Sequence, residues 1–235
     1  MLDDAQHDLW HRCLFIPALL LAAAIATRLI HCVSASLSGP SPKQTRWVMR
    51  AALCAGLAAL PFGMPLLHRV VLLPVAAVLI ALAFIDWRHR LLPDRLTLPL
   101  LWAGLLVNQQ GYFTSLAEAV SGAVVGYLSL WLLNAAYRRR HQRDGIGQGD
   151  FKLLAALGAW VGWPALPMLV TGAAATGLCA VAIACLMRKP GWQAPLPFGL
   201  YLAAAAWPLL LSAAGGEFPP STGYNAKFHL ISLWR

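Results

Sequence analysis

Long apolar runs, separated by short polar segments bearing glycine and proline, dominate the chain. Their lengths predict helices that cross a bilayer, because a crossing needs about 20 mostly apolar residues, with latitude for tilt and snorkelling ends. Eight such helices are expected: Cys13 to Ile30, Ala51 to Leu67, Val70 to Ile85, Leu96 to Val107, Leu116 to Tyr137, Phe151 to Trp163, Ala165 to Met187, and Leu196 to Leu211. The sixth is too short to cross untilted, so the count is about seven to eight transmembrane helices. The fold class is therefore all-α, a polytopic membrane helix bundle. It is read as one integral membrane domain over 1–235, with a core at 70–211, further helices in 1–69 and a polar tail at 212–235.

Composition narrows the class. The 235 residues are 59% hydrophobic and 11% charged, with a mean hydropathy of +0.63. Soluble domains carry about 25% charged residues, so an ordinary soluble enzyme is excluded. The net charge of +9 sits in loops between the apolar runs. Orientation in an anionic membrane explains it better than nucleic-acid binding. Alternating the eight spans places 28–50, 86–95, 138–152 and 188–195 on one side, and these segments hold 14 of the 18 Lys and Arg. By the positive-inside rule that side is the cytoplasm. The acids Asp3, Asp4 and Asp8 precede the first run, which is read as a retained anchor rather than a signal peptide.

Turn chemistry sets several boundaries. Ser115 and Glu118 read as a capping box, Asp94 after Pro93 as a helix N-cap, and Asp144-Gly145 as a tight turn. The five cysteines form no C-x-x-C pair and read as small hydrophobes. No metal site or cofactor is expected. His7 and His11 lie one helical turn apart but lack a third ligand. Trp10, Trp47, Trp87 and Trp163 fall near helix ends, where an interfacial belt is the ordinary explanation.

Two of the nine acids have no such local explanation as strong as a function. Asp86 ends an apolar run, where carboxylates are costly and the helix dipole opposes them. Asp150 follows Gly145-Ile146-Gly147-Gln148-Gly149; a linker with Asp150 capping the next helix is the plain alternative. Both lie on the cytoplasmic side. Two carboxylates sharing one proton can hydrolyse a peptide, one accepting a proton from water and the other polarising the scissile carbonyl. Neither is assigned a fixed role. Lys152 either tunes the pair or holds a lipid phosphate.

The segments Phe84-Ile85-Asp86 through Leu92-Pro93-Asp94, Gly145 to Trp160, and Pro197-Phe198-Gly199 together resemble the type IV prepilin peptidases, membrane aspartyl proteases of the G-x-G-D class. The resemblance implies catalysis by Asp86 and Asp150, supported by Gly147, Gly149, Lys152 and Asp94. It implies removal of the basic leader of prepilins or pseudopilins at the cytoplasmic face of the bacterial inner membrane. Two departures stand out. The segment 34–50 lacks the paired C-x-x-C motifs that many relatives associate with N-methylation, and Leu200 stands where the family often has proline. Reading the chain as a transporter, or as a non-enzymatic scaffold of pilus or secretion assembly, is the alternative. A scaffold tolerates Asp→Asn at both positions.

Overall fold

A computed structural model describes residues 50, 66–187 and 196–215. The first predicted helix, most of the second, the segment 34–50 apart from Arg50, Cys13, Cys32, Cys54, Trp10, Trp47 and most of the polar tail lie outside the described residues.

Among residues 66–187 and 196–215, six α-helices and one short 3-10 turn follow in order: α1 (Leu66–His89), α2 (Asp94–Asn108), α3 (Leu116–His141), α4 (Gln148–Val161), the turn Trp163–Ala165, α5 (Leu166–Leu186) and α6 (Phe198–Ala214). No strand occurs among the described residues. α1, α3 and the stretch Trp163–Ile183 are long and apolar enough to cross a membrane, and α6 is a shorter apolar helix. The molecule is a membrane helix bundle.

Each expected apolar run from the third onward is a helix, with shifted ends. The third run passes Asp86 to His89, where Arg90 adopts a left-handed backbone (φ 53°) and donates its N–H to the Asp86 carbonyl at 2.8 Å. The fifth gains a turn through the arginine run at 138–140, whose cations suit the carbonyl end of a helix. The eighth reaches Ala214, so the start of the expected polar tail is helical. Cys179 and Cys185 are exposed on α5 rather than packed inside. In a membrane that face meets lipid, where a small apolar thiol is as comfortable as in a core. Trp87 and Trp163 are both largely exposed near helix ends, in keeping with an interfacial belt.

The short α4 is the centre of the bundle. Every residue from Phe151 to Val161 except Lys152 is buried, and α2, α3 and α6 pack against it. A helix covered by protein has no need to match the bilayer thickness. Lipid supplies little hydrophobic drive between helices, so close backbone approach and interhelical hydrogen bonds hold such a centre. Gly122 and Gly126 on α3 supply the approach: a Cβ on Gly122 would collide with the Gly158 carbonyl, and one on Gly126 would lie 2.8 Å from the Leu154 oxygen. The Trp160 indole donates to the Leu100 carbonyl at 2.9 Å, binding α4 to α2.

Asn108, fully buried at the end of α2, ties down the far end of α4. Its amide donates to the carbonyls of Ala159 (2.8 Å) and Trp160 (3.2 Å), and its oxygen accepts from the N–H groups of Phe113 and Thr114. Next in the chain, the Ser115 hydroxyl accepts from Glu118 N–H at 3.3 Å, so the expected cap is present, and Thr114 donates to the Glu118 carboxylate.

The α3–α4 contact predicts the effect of bulk. Gly158→Val forces the two backbones apart and should lower stability by at least about 1–3 kcal/mol. Gly172→Ala, whose added Cβ would meet only ordinary contact at 3.5 Å, should be nearly neutral. Thermal unfolding in detergent compares them.

Candidate active site

Three chain segments meet at one end of the bundle. Asp86 lies near the end of α1 and is only 5% exposed. Its own helix dipole opposes its charge. The fold offsets this with another helix: the Asp86 Oδ2 accepts the N–H of Leu200 at 3.0 Å and faces the N–H of Gly199, both in the first turn of α6. Unsatisfied N–H groups and the positive end of a dipole make a helix start an anion site. The bond uses the backbone of Leu200, and a proline there would carry no N–H to give.

Asp150 is 8% exposed in the first turn of α4. It does not cap that helix. Gly147 is the N-cap, and Gly149 and Asp150 belong to the helix, which starts at Gln148 rather than Phe151. The Asp150 carboxylate instead reaches back to the Gly147 N–H, while the Asp150 N–H donates to the Gly147 carbonyl at 3.1 Å. Burial, and then the charge of Asp86, push the Asp150 carboxyl up from 3.8 to about 7. The two expected carboxylates are thus brought within each other's field.

Leu92, in the link between α1 and α2, fills the space between the helix starts. A Cβ on Gly149 would lie 2.7 Å from the Leu92 Cβ; one on Gly199 would lie 2.9 Å from both the Leu92 Cδ1 and the Asp86 Oδ2. Glycine at these two positions lets the backbones of α4 and α6 close around the site. Gly147 is less constrained, with the Asp150 Oδ2 at 3.3 Å from its would-be Cβ.

Asp94 and Lys152 differ from expectation. Asp94 is the first residue of α2, Pro93 holds the N-cap position, and no side chain caps it. Both Asp94 oxygens bond the Lys152 ammonium at 2.7 Å. Lys152 therefore fastens the start of α2 to α4 two residues beyond Asp150 and is engaged within the protein. The pair is one-third to half exposed, so its energetic worth is small and its geometric role the larger one. Gly199, Leu200 and the buried Asn134 and Asn108 were not singled out from the sequence as site residues. A polar amide inside an apolar run was the available signal for the two asparagines. Among the described residues no group of three or more His, Cys, Asp or Glu comes together to hold a metal.

Residues 73–185 match the type IV leader peptidase family. The chain is 46% identical over 187 residues to a prepilin leader peptidase/N-methyltransferase of Dickeya chrysanthemi, covering 79% of this chain and 65% of that protein. A protein of the same name from Pectobacterium carotovorum subsp. carotovorum is 49% identical over 172 residues, 73% of this chain and 60% of the relative. One from Aeromonas hydrophila is 52% identical over 134 residues, 57% and 46%. The matches span about half to two thirds of these relatives' length. No solved structure matches the chain.

The raised Asp150 group has a consequence for stability. A carboxyl protonated more readily when folded than when unfolded makes stability fall as pH rises from about 4 to 7, and level off above. Asp150→Asn removes that penalty. It should raise the melting temperature in detergent at pH 8, by an amount corresponding to at most about 4 kcal/mol, and change little at pH 4.

Proposed function

We propose, from the match of residues 73–185 to the type IV leader peptidase family, that the chain is a membrane aspartic endopeptidase acting through Asp86 and Asp150. The substrate is a type IV prepilin or pseudopilin, and the bond cut is the one joining its short basic leader to the mature chain. The observation that carries this reading is the meeting of two buried carboxylates from distant helices, one pushed up to about 7 beside the other.

Such a pair holds one proton near neutral pH. In this reading Asp150 carries it, because two backbone N–H groups, of Leu200 and Gly199, favour the ionised form of Asp86, and only one, of Gly147, favours that of Asp150. Asp86 is then the base. The N–H groups at the start of α6 hold its carboxylate in place while one oxygen draws a proton from the attacking water. Asp150 donates to the scissile carbonyl oxygen as the tetrahedral intermediate forms. On collapse, the C–N bond breaks, the proton gained by Asp86 passes to the leaving amine, and a hydroxyl proton of the intermediate returns to Asp150. Lys152 and Asp94 keep the helix starts in register around the pair.

Arg88, Arg90 and Arg95, and Arg138, Arg139, Arg140 and Arg143, are exposed on the segments that carry Asp86 and lead to Asp150. In this reading, by the positive-inside rule, that side is cytoplasmic, the membrane is the bacterial inner membrane, and anionic headgroups of the bilayer meet the same cations. No cofactor enters this chemistry, and nucleic acid has no part in it.

Asp86→Asn and Asp150→Asn should each insert normally and lower leader removal by at least about 10²-fold, within the range for loss of a general acid or base. Because Asp150 must be protonated, the wild-type rate should fall about tenfold per unit as pH rises above about 7. Purified membranes incubated with a model prepilin measure both; a mutant retaining full activity points to a scaffold instead.

The relatives' printed name includes an N-methyltransferase. The segment 34–50 lacks the four thiolates that a Cys₄ module requires, which supports a peptidase acting without methylation. A mature pilin made with S-adenosylmethionine present should therefore keep an unmethylated N-terminus. Mass spectrometry decides it, and a stoichiometric gain of one methyl group refutes it.

A further inference from the structure

Asn134 is buried on α3 inside an apolar stretch. A buried amide in a membrane bundle is costly unless its donors and acceptors are used. Here they are used on one short segment. The Asn134 Oδ1 accepts the N–H of Gly145 at 2.9 Å and that of Ile146 at 3.1 Å, and its Nδ2 donates to the Asp144 Oδ1 at 2.9 Å. Two backbone donors on one side and a carboxylate on the other fix which way the amide points.

The segment has little else to order it. Residues 143–147 donate no backbone–backbone hydrogen bond, so the expected tight turn at Asp144-Gly145 is replaced by a side-chain clamp. Tyr137, three residues along α3, forms the rest of the seat: a Cβ on Gly145 would lie 2.8 Å from its ring. Ile146 packs against the core. The next residue is Gly147, the N-cap of α4, whose N–H meets the Asp150 carboxylate.

We infer that Asn134 is a positioning residue for the reaction: it supplies the hydrogen bonds that a regular turn would have made and so fixes the start of α4 and the placement of Asp150. This rests on reading Asp150 as half of the acid/base pair. A lost clamp leaves two N–H groups unpaired at the root of α4, and the helix start shifts. A displacement on the order of 1 Å at a reacting group costs about 10²-fold in rate.

The test exploits the polarity of the clamp. Asn134→Leu keeps the bulk and removes all three bonds. Asn134→Asp keeps an acceptor for Gly145 and Ile146 but sets a second carboxylate against Asp144. Asp144→Asn alone keeps an oxygen for the Asn134 amide. The double variant Asn134→Asp/Asp144→Asn restores all three bonds with the donor and acceptor exchanged. Leader removal from a model prepilin gives kcat, KM and the pH profile. Amide hydrogen exchange over 142–150 reports the clamp itself.

Asn134→Leu and Asn134→Asp should lower kcat about 10- to 100-fold, leave KM within about threefold, move the alkaline limb of the pH profile and speed exchange at Gly145 and Ile146. Asp144→Asn should stay within about threefold of wild type. The double variant should recover to within about fivefold, with slow exchange restored. That recovery separates positioning from a general loss of folding. A wild-type rate and profile in Asn134→Leu overturns the inference, as does a double variant that regains slow exchange but not kcat. A wild-type protein that cleaves no prepilin overturns the peptidase reading itself and this inference with it; cleavage by wild type and all variants alike overturns only the role of Asn134.

Discussion

Keeping two like carboxylates side by side away from water is the constraint around which this bundle is arranged. Each buried charge costs several kcal/mol, and their repulsion adds to it. The fold meets that cost chiefly with backbone groups, the charge of Arg90 being a smaller help to Asp86. The start of α6 turns its N–H groups on Asp86, and the N-cap of α4 turns its own on Asp150. Lys152, the nearest cation to Asp150 along the sequence, engages Asp94 instead. An ammonium bonded directly to either carboxylate would hold that group ionised and remove the shared proton on which the proposed chemistry depends.

The two helix starts must approach closely for this arrangement, and small residues make room. Gly149 and Gly199 close on Leu92 from opposite elements, and Gly122 and Gly126 let α3 lie against the centre of α4. Buried asparagines then hold α4 at both ends, Asn134 before it and Asn108 after it. In lipid, hydrogen bonds between helices are worth only about 1 kcal/mol each, yet they have direction. Here the direction is what matters, because van der Waals packing along a smooth apolar helix leaves its axial position weakly specified.

The bundle's class, its helices from Val70 onward and the two carboxylates were legible because each has a local signature. A run of apolar residues is a helix in a membrane regardless of its neighbours, since no other element satisfies its backbone there. A carboxylate beside such a run is conspicuous for its cost. The ends of helices were less legible: α1 runs past Asp86, and α4 begins before it was expected, at Gln148. Both boundaries depend on what the polar residue meets across the bundle. Asp86 stays within a helix because α6 supplies its partners, and Asp150 can leave the cap to Gly147 because the preceding segment is held from α3.

The sequence by itself determined that this is a membrane helix bundle and which residues carry ionisable groups into it. Hydropathy and charge act residue by residue or along a single helix, so they are written in the order of the chain. Only the tertiary structure decided that Lys152 engages Asp94, that Leu200 contributes its backbone to Asp86, that Asn134 stands in for a turn, and that the shortest helix is the centre. Those outcomes depend on distances between residues far apart in sequence, and an amide or a glycine has no one use until the neighbouring helix is in place.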